Sequence, residues 1–170
     1  MDIKRLPIMI LSRILGIAAC IAVPLIGAKL SSNLIRKDIY TLKVEIKKPK
    51  WTPPKWMFEP VWTILYVIMG YASWLILSAP SSNIKLLSIG LYCCQLLLNW
   101  SFFPIYIRLK LFRTAGIVLL LLDINVVSLI FSAWFVDRKA SLLLLPYLGW
   151  ISFVTALNWT ICSLNPKYAM

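Results

Sequence analysis

Two amides and a set of aromatic rings carry most of the chemistry this sequence can do. Gln95 and Asn99 stand four residues apart, which puts them on one face of a helix, with Phe102 and Phe103 one turn further along. A second stripe joins Tyr147, Trp150, Ile151, Val154 and Asn158. A third joins Phe58, Trp62, Leu65 and Met69, with Tyr66 four residues past Trp62. One such stripe taken alone reads as the packed face of a helix. Three of them, each setting rings beside an amide or hydroxyl, suit an apolar cavity with a few orienting polar groups. A flat aromatic or steroid-like guest would fit such a cavity best.

Ordinary acid–base or nucleophilic catalysis finds no support. The chain contains no histidine, so its Ser and Cys residues lack that partner for activation. Cys20, Cys93, Cys94 and Cys162 fall inside apolar runs without metal-ligand spacing and read as buried packing thiols. No metal is expected and no cofactor is required. Asp123 stands near the middle of another apolar run, where a carboxylate costs about 2.5–3.5 kcal/mol. It is expected to face the bundle interior, either as a ligand contact or as a hydrogen-bonded link between helices.

Composition says which elements must hold these groups. Of 170 residues, 61% are hydrophobic, and the mean hydropathy of +0.83 is well above that of soluble domains. The expected fold is all-α: one membrane domain over residues 1–170. Spanning takes about 20 apolar residues per helix, and five runs qualify, at about 6–28, 58–77, 84–107, 111–135 and 142–164. None alternates polar and apolar residues as a barrel strand would. Trp74 and Trp134, near span ends, read as interfacial belt residues. The first run continues to about Ala28, too long for the core of a cleaved signal peptide.

The connections are short except the first, residues 29–57. Its Trp51, Pro53, Pro54 and Trp56 favour a stiff cap, a lid resting on something apolar. The net charge of +12 is spread between the apolar runs, which fits anionic headgroups of a lipid bilayer and not nucleic acid. Twelve of the 18 bases fall on the side of the long connection. That bias predicts that this connection and the C-terminus are cytosolic.

The stretch from Trp51 to Ser73, WTPPKWMFEPVWTILYVIMGYAS, resembles the start of the second helix in the translocator protein family. That family is also called tryptophan-rich sensory protein or peripheral benzodiazepine receptor. LYCCQLLLNWSFFPIYI (Leu91–Ile107) and LLPYLGWISFVTALNWTICSLN (Leu144–Asn165) agree with it in order and spacing. The resemblance covers all five spans. It implies five packed helices around a ligand pocket with the first connection as lid, and a porphyrin (protoporphyrin or haem) or a sterol as ligand. Synthetic benzodiazepine-site drugs and light-dependent protoporphyrin breakdown also belong to the family. Matched position by position, it puts pocket tryptophans at Trp62 and Trp150 and a polar wall at Gln95, Asn99 and Asn158. It puts an acidic position at Asp123, and the lid-to-helix junction at Trp51, Pro53, Pro54 and Trp56.

Three functions follow as expectations. The first is a receptor or translocator binding a porphyrin- or sterol-like molecule. The second is an enzyme-like porphyrin photo-oxidation in which Trp62 and Trp150 serve as electron donors. The third is a membrane scaffold without a small-molecule ligand. A second copy of the chain, as a homodimer, is a further expected partner. The resemblance implies the outer mitochondrial membrane for a eukaryotic chain and the cell envelope for a bacterial one. Two departures stand out. Glu59 replaces the small residue usual in the family, and is expected either to favour the helix N-terminus, pairing with Lys55, or to alter the pocket. The stretch Ala156–Ser163 lacks the Tyr and following base of the proposed cholesterol motif.

Overall fold

Caps and prolines set where the helices begin and end. The structure, a computed structural model, describes residues 6–35 and 46–166. Its helices are α1 (Leu6–Ile35), α2 (Lys55–Ser78), α3 (Asn83–Phe103), α4 (Phe112–Trp134) and α5 (Arg138–Leu164), with a π-helical turn at Pro104–Arg108 after α3. Ser82 caps α3 by accepting from the Lys85 N–H at 3.1 Å, and Asp137 caps α5 by accepting from the Ala140 N–H at 2.9 Å. The Lys85 ammonium donates to the Leu77 and Ala79 carbonyls, both at 2.7 Å, and so closes the C-terminal end of α2 with a cation. Between α3 and α4 the chain turns at Lys110, whose φ of 55° lies in the left-handed region.

All five helices are long and apolar enough to cross a membrane; the chain is an integral, multi-pass membrane protein. Several boundaries differ from expectation. α1 does not stop at Ala28 but runs to Ile35, and Ser31 and Ile35 in this extension are buried. The connection is correspondingly shorter, and Lys29 belongs to the helix. Residues 36–45 of the expected lid lie outside the described residues, as do Lys4, Arg5, Arg36, Lys37, Lys43 and Lys167 of the charge count. α2 starts at Lys55, so Pro60 falls in its second turn and leaves the Trp56 carbonyl without its usual donor.

The helices form a closed ring in the order α1, α2, α5, α4, α3, with α4 against α5 the most extensive contact. Leu119, Leu122, Val126 and Leu129 of α4 and Leu144 and Ile151 of α5 are fully buried, with Met69 and Ala72 of α2. α1 sits outermost and docks through small residues. Pro24 has no N–H to give the Cys20 carbonyl. That carbonyl lies only 2.8 Å from where a side chain on Gly70 would begin. Trp100 fills the space beside Gly27, and the Ser31 hydroxyl donates to the Trp100 carbonyl at 2.7 Å. Gly27 and Gly70 thus serve close packing of α1 within the chain. Contrary to their reading as buried thiols, Cys93 and Cys94 are exposed, and Cys93 lines a groove with Cys20 and Val23 of α1.

Candidate functional site

A cavity of about 410 Å³ opens between α2, α3, the π-helical turn and α5. α2 contributes Phe58 and Trp62, α3 contributes Phe102 and Phe103, and the turn adds Tyr106 and Ile107. Val154, Leu157, Asn158 and Ile161 line it from α5. Lys48, Thr52, Pro53, Pro54 and Lys55 edge its mouth. Nearly all of this surface is apolar, so a guest would be held by its own apolar area.

The rings interlock behind this lining. Trp62 stacks on Tyr66 with centroids 5.5 Å apart and meets Phe103 at 6.0 Å and Trp150 at 6.4 Å edge to face. Trp150 does not line the cavity itself. It backs the wall, packing on Phe58 at 5.7 Å and Phe153 at 5.4 Å.

Beneath Trp62 lies a polar floor linking three helices. The Tyr66 hydroxyl donates to Asn99 Oδ1 at 2.6 Å, and Asn99 Nδ2 donates to the Tyr147 hydroxyl at 3.0 Å. The Tyr147 hydroxyl in turn donates to Gln95 Oε1 at 2.8 Å. All four residues are buried. Gln95 and Asn99 therefore join helices below the cavity and do not line it. Asn158 does line it. Its Nδ2 donates to the Phe112 carbonyl at 3.1 Å, which orients the amide. Gly116 leaves the room for it, since a Cβ there would fall 2.8 Å from Nδ2. Trp62 Nε1, Trp150 Nε1 and Asn158 Oδ1 have no hydrogen-bond partner among the described residues.

Three expected site residues, Asp123, Trp56 and Trp51, stand elsewhere, as does Glu59. Asp123 does not face the interior cavity. It is half-buried at the α4–α5 seam, where it accepts from Thr155 at 2.7 Å and Ser152 at 3.1 Å. This is the helix-linking arrangement, and it answers the cost of a carboxylate in an apolar layer with two hydroxyl donors. Trp56 is 73% exposed and does not line the cavity, because a step of two residues from Phe58 turns its side chain to the opposite side of α2. Trp51 lies above, edge-on to Phe153 at 5.7 Å. Glu59 is exposed, outside the first turn of α2 and off the cavity lining, so it neither sits in the first turn as a dipole partner nor shapes the pocket.

One residue that positions the site escaped the sequence reading. Asn165, just past α5, holds the described part of the first connection with reciprocal backbone bonds. Its Oδ1 accepts from the Lys47 N–H at 2.9 Å, and its Nδ2 donates to the Lys47 carbonyl at 2.8 Å. With Trp51 on Phe153, this pins residues 46–54 across the cavity mouth. In sequence, Asn165-Pro166 signals only a helix end. Replacing Asn165 with Ala is expected to raise amide hydrogen exchange over residues 46–54 at least ~10-fold, because two bonds at about 1 kcal/mol each are lost. Exchange mass spectrometry checks it, with α4 peptides unchanged. Tyr106, Ile107, Leu157 and Ile161 were also missed as lining residues. Their types are ordinary for a core, and only the π-helical turn re-aims the first two.

Comparison with known proteins gives a consistent family. A family model described as TspO/MBR family matches residues 17–164. The "Tryptophan-rich protein TspO" of Chlorobaculum tepidum is 38% identical over 157 residues, covering 91% of this chain and 98% of its own length. The "Translocator protein" of Homo sapiens is 33% identical over 141 residues, covering 81% and 83%. "Translocator protein 2" of Mus musculus is 36% identical over 153 residues, covering 87% and 94%.

Proposed function

This chain belongs to the TspO/MBR family, and from that premise we propose that it is a translocator- or receptor-type membrane protein whose aromatic cavity binds a porphyrin- or sterol-like molecule. The observation that carries the reading is the cavity of about 410 Å³ between α2, α3 and α5, walled by Phe58, Trp62, Phe102 and Phe103. That volume is within the range of small-molecule sites, and a rigid, ring-lined wall favours a flat guest over a flexible one. Trp62 Nε1 and Asn158 Oδ1, both unpartnered among the described residues, supply one donor and one acceptor that a guest's polar atoms would satisfy. The connection, pinned across the mouth, acts as the lid. The bias of basic residues supports a cytosolic side for that connection.

The test is a titration of purified protein with protoporphyrin, read as quenching of tryptophan fluorescence. Trp62→Ala is expected to weaken binding about 30-fold or more, the effect of removing a central buried anchor of at least ~2 kcal/mol. Glu59→Gly, off the cavity, is expected to leave affinity unchanged. Saturable quenching that is indifferent to Trp62→Ala would move the ligand elsewhere on the bundle.

One observation favours a second reading, light-dependent porphyrin breakdown. Trp62 and Trp150 meet edge to face at 6.4 Å, the first lining the cavity and the second behind it. Two adjacent indoles could pass an electron toward an excited guest. Illuminating the same samples separates the readings: bleaching that disappears in Trp62→Phe/Trp150→Phe while much of the quenching survives assigns the breakdown to this pair.

A further inference from the structure

We propose that the groove between α1, α2 and α3 is a second binding site, taking a lipid chain that carries a hydroxyl within its apolar length, and that Tyr92 and Ser73 recognise that hydroxyl. The groove has a volume of about 190 Å³. Its lining includes Cys20 and Val23 of α1, Ser73 and Ile76 of α2, and Tyr92 and Cys93 of α3. It shares no lining residue with the aromatic cavity and does not depend on what that cavity binds. Val23, Leu77 and Cys93 at its edge are exposed, and they lie within membrane-spanning helices. The groove therefore opens toward lipid and not toward water.

Two hydroxyls stand in this lining. Tyr92 is 8% exposed, and its enclosed hydroxyl has no hydrogen-bond partner among the described residues. Ser73 is its polar neighbour on α2. The Ser73 proton, however, goes to the Gly70 carbonyl at 2.8 Å, and no hydrogen bond joins the two hydroxyls. A stranded hydroxyl in an apolar layer is costly, so a guest that pairs with it is favoured. Tyr92 offers a proton and Ser73 a lone pair. A guest hydroxyl set between them would accept from the first and donate to the second, whereas a carbonyl could only accept.

Depth narrows the guest further. Ser73 lies more than one turn inside the end of α2 at Ser78. Tyr92 lies more than two turns inside the start of α3 at Asn83, and its ring leans back toward that end by about one turn. Both hydroxyls are thus below the headgroups, in the apolar layer. An unmodified acyl chain has no polar atom at that depth and would leave them stranded. A sterol carries its hydroxyl at headgroup level, and this groove has less than half the volume of the aromatic cavity. A flexible chain hydroxylated several carbons below its headgroup brings an oxygen to the right depth and needs only a narrow channel.

The thiols supply the readout. Cys93 lines the groove, whereas its neighbour Cys94 is exposed and does not. Purified protein, at one fixed detergent concentration, is alkylated with N-ethylmaleimide in the presence of stearate, 7-hydroxystearate or 12-hydroxystearate. Peptide mass spectrometry follows the modification of each cysteine. The better of the two hydroxylated acids is expected to protect Cys93 at about fivefold lower concentration than stearate, the effect of one net hydrogen bond, with Cys94 unprotected. Tyr92→Phe keeps the ring and is expected to bring that acid down to the level of stearate, whose own protection is unchanged. Circular dichroism checks that the variant is folded, and its quenching by protoporphyrin is expected to match wild type, which keeps this site distinguishable from the aromatic cavity. Equal protection by plain and hydroxylated acids in wild type overturns recognition of the hydroxyl. A gap that survives Tyr92→Phe overturns its assignment to this residue. No protection of Cys93, or equal protection of Cys94, overturns the site itself.

Discussion

Gly70→Ala lowers the thermal midpoint of the purified protein by about 5–10 °C. The added Cβ would stand 2.5 Å from Ile21 Cα, 2.8 Å from the Cys20 carbonyl oxygen and 2.9 Å from the Ile21 nitrogen. All three are backbone atoms, so no side chain can swing aside and α1 itself must move. Overpacking that shifts backbone costs typically about 1–3 kcal/mol, occasionally more, and about 2–4 °C accompanies each kcal/mol in a chain of this size. Helix propensity works the other way, since Ala is favoured over Gly by up to ~1 kcal/mol. Sterics win because an approach this close has no relaxed alternative. Gly149→Ala is the matched control: a Cβ there meets nothing within 4 Å, so that variant is expected to be neutral or slightly more stable. Melting followed by loss of the monodisperse species, at one scan rate, checks both. Equal midpoints for the two variants would mean that α1 does not rest on Gly70.

The second large effect is at the polar floor. Asn99→Leu removes the acceptor of the Tyr66 hydroxyl and a donor to the Tyr147 hydroxyl, two bonds that tie α2 to α3 and α3 to α5. Interhelical hydrogen bonds within membranes average about 0.6 kcal/mol and reach about 1.7. These two are fully enclosed, which argues for the upper part of that range and a loss of about 2–3 kcal/mol. The pattern across variants is more telling than the size. Removing one partner strands a buried hydroxyl, whereas replacing both partners with apolar groups can be nearly neutral. Tyr66→Phe in the Asn99→Leu background is therefore expected to restore part of the lost stability, a coupling measured by a double-mutant cycle. Porphyrin affinity should fall along with it, because Trp62 stacks on Tyr66 at 5.5 Å and a loosened floor frees the anchor. Strictly additive losses would show that the four residues are separate contacts and not one network.

Much of this molecule could be read from its amino acids alone. Five helices, their approximate limits and the membrane around them follow from hydropathy, a local property that each run of about 20 residues carries by itself. The stripe containing Phe58, Trp62, Tyr66 and Met69 was legible for the same reason: helical periodicity is short-ranged, and spacing tells which side chains share a face. The family could be named because three motifs kept their order along the chain.

Tertiary structure alone decided what each face meets. Trp56 and Trp62 stand six residues apart and so fall on different faces of α2, but which face lines a cavity and which is left 73% exposed depends on which neighbour the ring of helices supplies. Asp123 could have faced a ligand or a neighbouring helix, and the choice lies with Ser152 and Thr155, about thirty residues away in sequence. Gln95 and Asn99 were legible as a polar pair but not as a floor, since their partners sit on two other helices. Asn165 reads as a helix stop until residue 47 arrives from 118 positions away to pair with it. Contacts across such separations depend on how the helices pack against one another, and a periodicity confined to one helix carries no record of that.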